Sequence, residues 1–305
     1  MKPVICIAGP TASGKSAYAV KLAQAVGGEV INADALQVYA ELHILSARPV
    51  VAEMGDVPHH LFGHVAGDIR YSTGQWLRDV EGVILGCLAR EVVPVLVGGT
   101  GLYFRALLEG LADIPKVPED VRAKTETFLK TDGIAALRAL AETLDPFATA
   151  RVLGDDPQRL QRIVNVAQGT GHNLSHWQEN TRPVVPTCFA KYCVLTPPRE
   201  TLYARINTRY EDMLRGGGLL EAKRVFDMGL DESLPLMKAI GLRQLRRYFE
   251  GQSSLNDAVE DAKRESRRFA KRQMTWFRNQ PPKGQMLETA ADQDAFLNSI
   301  IGVQF

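Results

Sequence analysis

An apolar run, Val4-Ile5-Cys6-Ile7-Ala8, passes directly into Gly9-Pro10-Thr11-Ala12-Ser13-Gly14-Lys15-Ser16, the full pattern G-x-x-x-x-G-K-[ST]. No other feature constrains the fold as much, because the pattern works only between a strand and the start of a helix. Glycines let the backbone fold back so that several N–H groups aim at one anion, and the following helix adds its positive end. Lys15 supplies a full charge, and Ser16 supplies a hydroxyl for Mg²⁺. Downstream, Ala17, Leu22, Ala23 and Val26 read as an amphipathic helix, which is the required context. Residues 9–16 are therefore expected to grip a phosphate chain.

The loop does not say whose phosphates these are. Nucleotide-hydrolysing and kinase folds of this kind usually carry an apolar strand ending in Asp. The candidate strand Val92-Val-Pro-Val-Leu-Val97 runs instead into Gly98-Gly99-Thr100-Gly101-Leu102-Tyr103. A carboxylate does follow another strand signal, Glu29-Val-Ile-Asn32-Ala33-Asp34. In a doubly wound sheet, the carboxyl edge of that strand is where ligands bind. Asp34 and Thr100 are thus either turn residues or the acid and hydroxyl offered to the phosphate site.

A chain of 305 residues, 45% of them hydrophobic, can bury a substantial core. No stretch reaches the roughly 18–20 apolar residues of a membrane span, and the N-terminus has no signal-peptide pattern, so no membrane association and a cytoplasmic setting are expected. Cys6, Cys87, Cys188 and Cys193 lie mostly in apolar runs without C-x-x-C spacing and read as small buried hydrophobes. His59, His60 and His64 lack a nearby acidic partner in sequence, and packing or hydrogen-bonding roles are expected of them rather than zinc.

The net charge of +1 hides an asymmetry: residues 1–115 hold eight basic against eleven acidic side chains, whereas residues 236–280 hold eleven against five. Within the basic segment Asn256 can cap a helix to about Asn279. Arg264, Arg267, Arg268, Lys271 and Arg272 recur at i, i+3, i+4, i+7 and i+8 as one stripe. Phe269, Trp276 and Phe277 read as core on other faces. Glu260, Asp261 and Glu265 look too few and too N-terminal to neutralise the stripe, which favours a polyanion partner.

Strand and helix signals alternate to about Pro115, the mark of a parallel sheet with helices on both faces. From Pro118 to Thr181 the texture is helical, with Asp156-Pro157 a good helix start and Gly169 a stop. A strand returns at 189–195. The fold expected is α/β, a P-loop NTPase-like parallel sheet with an inserted all-helical lobe. Residues 1–116 and 187–280 form the core, 117–186 the lobe, and 281–305, rich in Pro, Gln and Asp, a loosely attached tail.

These motifs together resemble the bacterial tRNA dimethylallyltransferase, or tRNA isopentenyltransferase, family over nearly the whole chain. The matching runs are GPTASGKS, DALQVY at 34–39, SARP at 46–49, PHHL at 58–61 and GGTGLY at 98–103. Further on come DPQRLQR at 156–162, MKAIGLRQ at 237–244 and AKRQMTWFRN at 270–279. The resemblance implies transfer of a dimethylallyl group from dimethylallyl diphosphate to N6 of the adenosine 3′ of the anticodon. The partner it implies is a tRNA anticodon stem-loop, the cofactor Mg²⁺ at Ser16, and a monomer is expected. Asp34 would act as general base, with Thr100 and Arg205, in the match Leu202-Tyr-Ala-Arg205-Ile, steadying the departing diphosphate. Residues matching the family's RNA contacts are Asp34, Ala35, Leu36, Gln37, Thr100, Arg122, Gln158, Arg159, Leu160, Gln161, Arg162, Lys238, Gly241 and Arg243. Arg267, Arg268 and Lys271 join them from the basic stripe. Ala35 stands where the family usually has Ser, Ser46 and Arg48 where it has Thr and Lys, and Gly63-His64 depart from its usual Asp. A phosphate loop alone would equally suit a small-molecule or nucleotide kinase, or an RNA-binding module that keeps the loop as a switch.

Overall fold

The computed structural model describes residues 2–179 and 181–302. The chain divides into two compact units, Met1–Leu108 with Val184–Phe305, and Glu109–Pro183. The first is built on six parallel strands in the order β3-β2-β4-β1-β5-β6. They are β1 (Val4–Ala8), β2 (Gly28–Asn32), β3 (His59–His60), β4 (Val93–Gly98), β5 (Ala190–Leu195) and β6 (Gln285–Leu287). Strands β1, β2 and β4 are buried along their whole length, which is why they read as unbroken apolar runs.

Helices cover both faces. On one, α2 (Thr73–Ala89) and α3 (Gly101–Glu109) pack Trp76, Val80, Phe104 and Leu107 against Cys6, Ile31 and Leu96. The other face carries α1 (Lys15–Val26), whose Tyr18, Ala19 and Leu22 meet Ile5, Ile7 and Val95. The helix α2 starts where its pattern demands: the Ser72 hydroxyl accepts the Gln75 N–H and the Gln75 side chain accepts the Ser72 N–H.

The lobe comprises α4 (Glu119–Leu144, broken at Gly133), α5 (Pro146–Ala150), α6 (Pro157–Thr170) and α7 (Leu174–Gln178) around Leu137, Ala141, Leu160 and Ile163. Asp156 caps α6 by accepting the Gln158 and Arg159 N–H groups, with Pro157 at the first helical position, as expected. The helix ends at Gly171, not Gly169, because Gly171 takes the left-handed conformation (φ 75°).

After β5 the first unit continues through α8 (Arg199–Met213), α9 (Leu219–Asp227), α10 (Leu242–Phe249) and α11 (Leu255–Asn279). The cap of α11 is Ser254, two residues before the expected Asn256, since its hydroxyl accepts the Asp257 N–H. The expected loose tail is corrected outright. Strand β6 pairs with β5 in parallel register, and α12 (Ala290–Ile301) buries Phe296, Leu297 and Ile300 beside Tyr18 and Leu22. Cys188 is a second correction: it is exposed, whereas Cys6, Cys87 and Cys193 are buried.

Candidate active site

Lys15 and Ser16 open α1, and Gly14 before them sits at φ 90°, a conformation that any side chain would strain. The Lys15 ammonium crosses the loop to donate to the Pro10 carbonyl at 3.3 Å. Ser13 is buried with its hydroxyl unpartnered, on the side of Gly9 and outside the cavity lining. Thr11, Lys15 and Ser16 edge a cavity of about 480 Å³ at the carboxyl ends of β1, β2 and β4, large enough for a small organic ligand.

Asp34 reaches this cavity through a turn fixed by Asn32, which is fully buried. The Asn32 side chain accepts the Asp34 N–H at 2.9 Å and donates to the Asp34 and Leu61 carbonyls. Asp34 Oδ1 then accepts the Leu36 N–H at 3.0 Å, which leaves Oδ2 on the side of Gly99. Thr100 is tied to the same turn, its hydroxyl oxygen accepting the Ala35 N–H at 3.0 Å. Its own O–H stays available to donate.

The glycines of the 98–101 loop are there for close approach. A Cβ on Gly98 would stand 2.0 Å from the Ala33 carbonyl oxygen, and one on Gly101 2.1 Å from the Trp276 indole. Helix α11 supplies the clamp: the Gln273 side chain accepts the Thr11 N–H at 2.8 Å and donates to the Gly99 carbonyl at 2.9 Å. One buried amide thus joins the phosphate loop to the Thr100 loop. Phe269 and Trp276, expected as core, line the cavity together with Leu102, Ile206 and Met213, giving it an apolar end; Trp276 also packs against the core that Phe277 fills.

Arg205 lies near Gly14 and does not line the cavity, whereas Arg209, one turn on, does and donates to the Thr11 hydroxyl. Sequence reasoning missed Arg209, Gln273 and the cavity roles of Phe269 and Trp276. Desolvation lowers the Lys15 pKa to about 8; Asp34 opposes this and Arg209 adds to it. Desolvation likewise lowers Arg209, with Asp34 opposing.

A hard cation such as Mg²⁺ takes oxygen donors. The Ser16 hydroxyl at the cavity fits that demand. A different donor set, Glu29, His60 and Cys87 within 4.8 Å of one another, lies outside the cavity and does not fit. The Arg90 guanidinium grips both Glu29 oxygens at 2.6 and 2.7 Å and holds its carboxyl down at about 2, while burial raises the Cys87 thiol to about 11. A cation is already in place. The acid expected to be missing beside His60 is Glu29, at 2.8 Å, brought in by strand pairing.

The remaining candidates separate. Ala35, Leu36, Gln37 and Lys238 line the cavity, Gly241 is buried, and Arg243 is exposed on α10. In the lobe Gln158, Arg159 and Arg162 are exposed and Arg122 and Gln161 are half-buried. Leu160 is fully buried in the lobe core, so its side chain is not a contact. The basic stripe of α11 is also more neutralised than expected. Arg264 pairs with Asp261, Arg268 and Arg272 with Glu265, and Arg267 donates to Asn207 on α8 at 2.7 Å. Lys271 and Arg268 remain exposed, and Arg272 turns to the cavity mouth.

Two family models match the sequence, IPP transferase over residues 37–280 and isopentenyl transferase over residues 2–59. The tRNA dimethylallyltransferase of Maricaulis maris is 46% identical over 303 residues, covering 99% of this chain and 98% of its own. That of Hyphomonas neptunium is 47% identical over 283 residues, with 92% and 90% covered. Among solved structures, the full-length tRNA isopentenylpyrophosphate transferase of Bacillus halodurans superposes with a TM-score of 0.71 at 32% identity, covering 99% of this chain and 96% of its own. A eukaryotic dimethylallyltransferase acting on tRNA gives 0.79 at 27%, with 91% and 70% covered.

Proposed function

The chain belongs to the IPP transferase family, and from that membership we propose how its cavity transfers a dimethylallyl group to tRNA. The donor would be dimethylallyl diphosphate, its phosphates on the loop amides and Lys15, its C5 chain toward Phe269, Trp276 and Leu102. The acceptor would be N6 of the adenosine 3′ of the anticodon. One observation carries this reading: a single cavity has the phosphate loop and Arg209 as one lining, Asp34 and Thr100 as another, and aromatic rings as a third. Family membership removes the kinase alternative.

The adenine amino group is a poor nucleophile because its lone pair is delocalised into the ring. Bond formation from N6 to the allylic carbon therefore needs a base for the N6 proton, and Asp34 Oδ2 is the oxygen not already used by the Leu36 N–H. As the carbon–oxygen bond breaks, its electron pair passes to the diphosphate. Lys15, Arg209 and the loop amides offset that charge, and the Thr100 O–H is placed to donate toward the bridging oxygen. Arg205 would add charge from beside Gly14. Mg²⁺, when bound at Ser16, would supply further charge neutralisation. Extruding the base from its stack and holding the loop RNA fall to Gln37, Lys238 and Arg243, to lobe residues Arg122, Gln158, Arg159, Gln161 and Arg162, and to Arg267, Arg268 and Lys271. Cytoplasmic placement and a monomeric state belong to the same proposal.

Incubated with Mg²⁺, dimethylallyl diphosphate and an anticodon stem-loop, the protein is expected to add one C5 unit to a single adenosine. Mass spectrometry of the RNA reads it, and KM for RNA should climb with salt as phosphate contacts are screened. Turnover of ATP with no heavier RNA would sink the reading.

Lys15 gives a second test. Its depressed pKa means that the free protein loses the ammonium as pH rises through about 8. Diphosphate binding requires the cation, so Kd should be flat from about pH 6.5 to 7.5 and rise by up to about tenfold per unit above 8. Lys15→Arg, charged throughout, should remove the inflection. Calorimetric titration showing a flat Kd from pH 7 to 9.5 in the parent chain would contradict the assignment.

A further inference from the structure

The buried carboxylate of Glu221 is used by nothing described so far. It stands on α9, 2% exposed, and makes no direct ion pair among the described residues, although its charge acts on the Arg48 guanidinium just beyond the loop it meets. Three consecutive backbone groups converge on it instead: Oε1 accepts the His43 and Ile44 N–H groups at 2.8 and 2.9 Å, and Oε2 accepts the Leu45 N–H at 2.8 Å. Burying a carboxylate is costly unless its oxygens are satisfied, and here they are satisfied entirely by one loop.

That loop is a wall of the cavity, through Leu45, Ser46 and Ala47. Its far side is held by Gln37, whose side-chain amide donates to the Ser46 and Ala47 carbonyls at 3.0 and 2.9 Å. Ala47 sits at φ 53°, a left-handed conformation that a non-glycine residue keeps only where its surroundings over-determine it. The surroundings here are the turn's own Ala47 and Arg48 N–H bonds to the Ile44 and His43 carbonyls, with Gln37 holding residues 46–47 and Glu221 holding residues 43–45. No loop residue touches the phosphate loop in these contacts, whereas Gln37 and Lys238, on the same side of the cavity, are among the proposed RNA contacts.

We propose that Glu221 is a positioning residue, whose carboxylate fixes the 43–47 loop and so sets the fit of the acceptor RNA and not the grip on the diphosphate. This rests on the cavity being the prenyl-transfer site. Glu221→Gln fills the same space and keeps the acceptor for His43 and Ile44, but sets an N–H donor against the Leu45 N–H. Glu221→Ala removes all three bonds.

The test uses the full chain with dimethylallyl diphosphate and an anticodon stem-loop. In Glu221→Gln, KM for RNA should rise about tenfold, the scale of one charge-assisted hydrogen bond, and further in Glu221→Ala. Kd for dimethylallyl diphosphate should stay within about twofold, and deuterium exchange should quicken at amides 43–45 while the 9–16 peptide is unchanged. Should Glu221→Ala fail to fold, the isosteric variant carries the test. A KM unchanged in Glu221→Gln overturns the proposal. So does a diphosphate Kd rising in step with KM as the melting temperature falls, since the role would then be merely structural. A parent chain that leaves the RNA unmodified would instead sink the functional reading.

Discussion

Replacing Asp34 by Ala should lower the single-turnover rate of prenyl transfer by roughly 10² to 10⁴, the usual loss on removing a general base. Diphosphate binding should be unchanged or tighter, because a negative charge beside Lys15 and Arg209 is removed. Asp34 also shapes its own turn by accepting the Leu36 N–H, so Ala alone confounds two roles. Asp34→Asn separates them. Its side-chain oxygen still accepts from Leu36, yet it cannot take a proton, and a loss close to that of the Ala variant is expected. Single-turnover kinetics with enzyme in excess over labelled diphosphate reads both variants. A near-parental rate in Asp34→Asn would reduce the carboxylate to a turn-former, and an intact rate in Asp34→Ala would place the base elsewhere.

What was legible in the sequence was local or rigidly periodic. The phosphate loop is a contiguous motif whose strand and helix flank it, and Asp156-Pro157 marks a helix start through one residue's cap and the next residue's fixed φ. Asp34 and Thr100 were legible because parallel strands end on one edge, which brings together residues 66 positions apart in sequence. Arg209 was not, for Arg205 and Arg209 share a helix face one turn apart, and only the seating of α8 against the loop decides which enters the cavity. Gln273 carried no local signal; its two partners, Thr11 and Gly99, come from loops more than 170 residues away. The charge stripe misled differently. Asp261 and Glu265 lie three to seven residues before Arg264, Arg268 and Arg272, within reach of long side chains along a helix. The tail was misread because Pro281-Pro282-Lys283-Gly284 looks like a linker. Phe296, Leu297 and Ile300 beyond it carried a helical apolar stripe that composition obscured.

Ending the chain at Gln280 should therefore cost the first unit its folded state, not a dispensable appendage. Strand β6 would be lost from the sheet edge, uncovering β5 and the Thr196 N–H that donates to the Leu287 carbonyl at 2.9 Å. Leu287, Phe296 and Ile300, each under 5% exposed, contribute about 1.5–3 kcal/mol apiece by burial. Together with Leu297 that is a large part of the about 5–15 kcal/mol by which a domain is stable. Helix α12 also braces α1, through the Tyr18 hydroxyl donating to the Gln293 carbonyl at 2.7 Å and the Lys21–Asp294 pair. Because α1 carries Lys15 and Ser16 at its start, loosening it should weaken the phosphate grip before the sheet melts. Phe296→Ala in the full chain isolates the packing part at about 3–5 kcal/mol. It should lower the midpoint of thermal unfolding by roughly 10 °C and raise Kd for the diphosphate as the temperature approaches that midpoint. Circular dichroism melts of both variants check this. A truncated chain melting within about 2 °C of the parent would mean that β6 and α12 add nothing to the core.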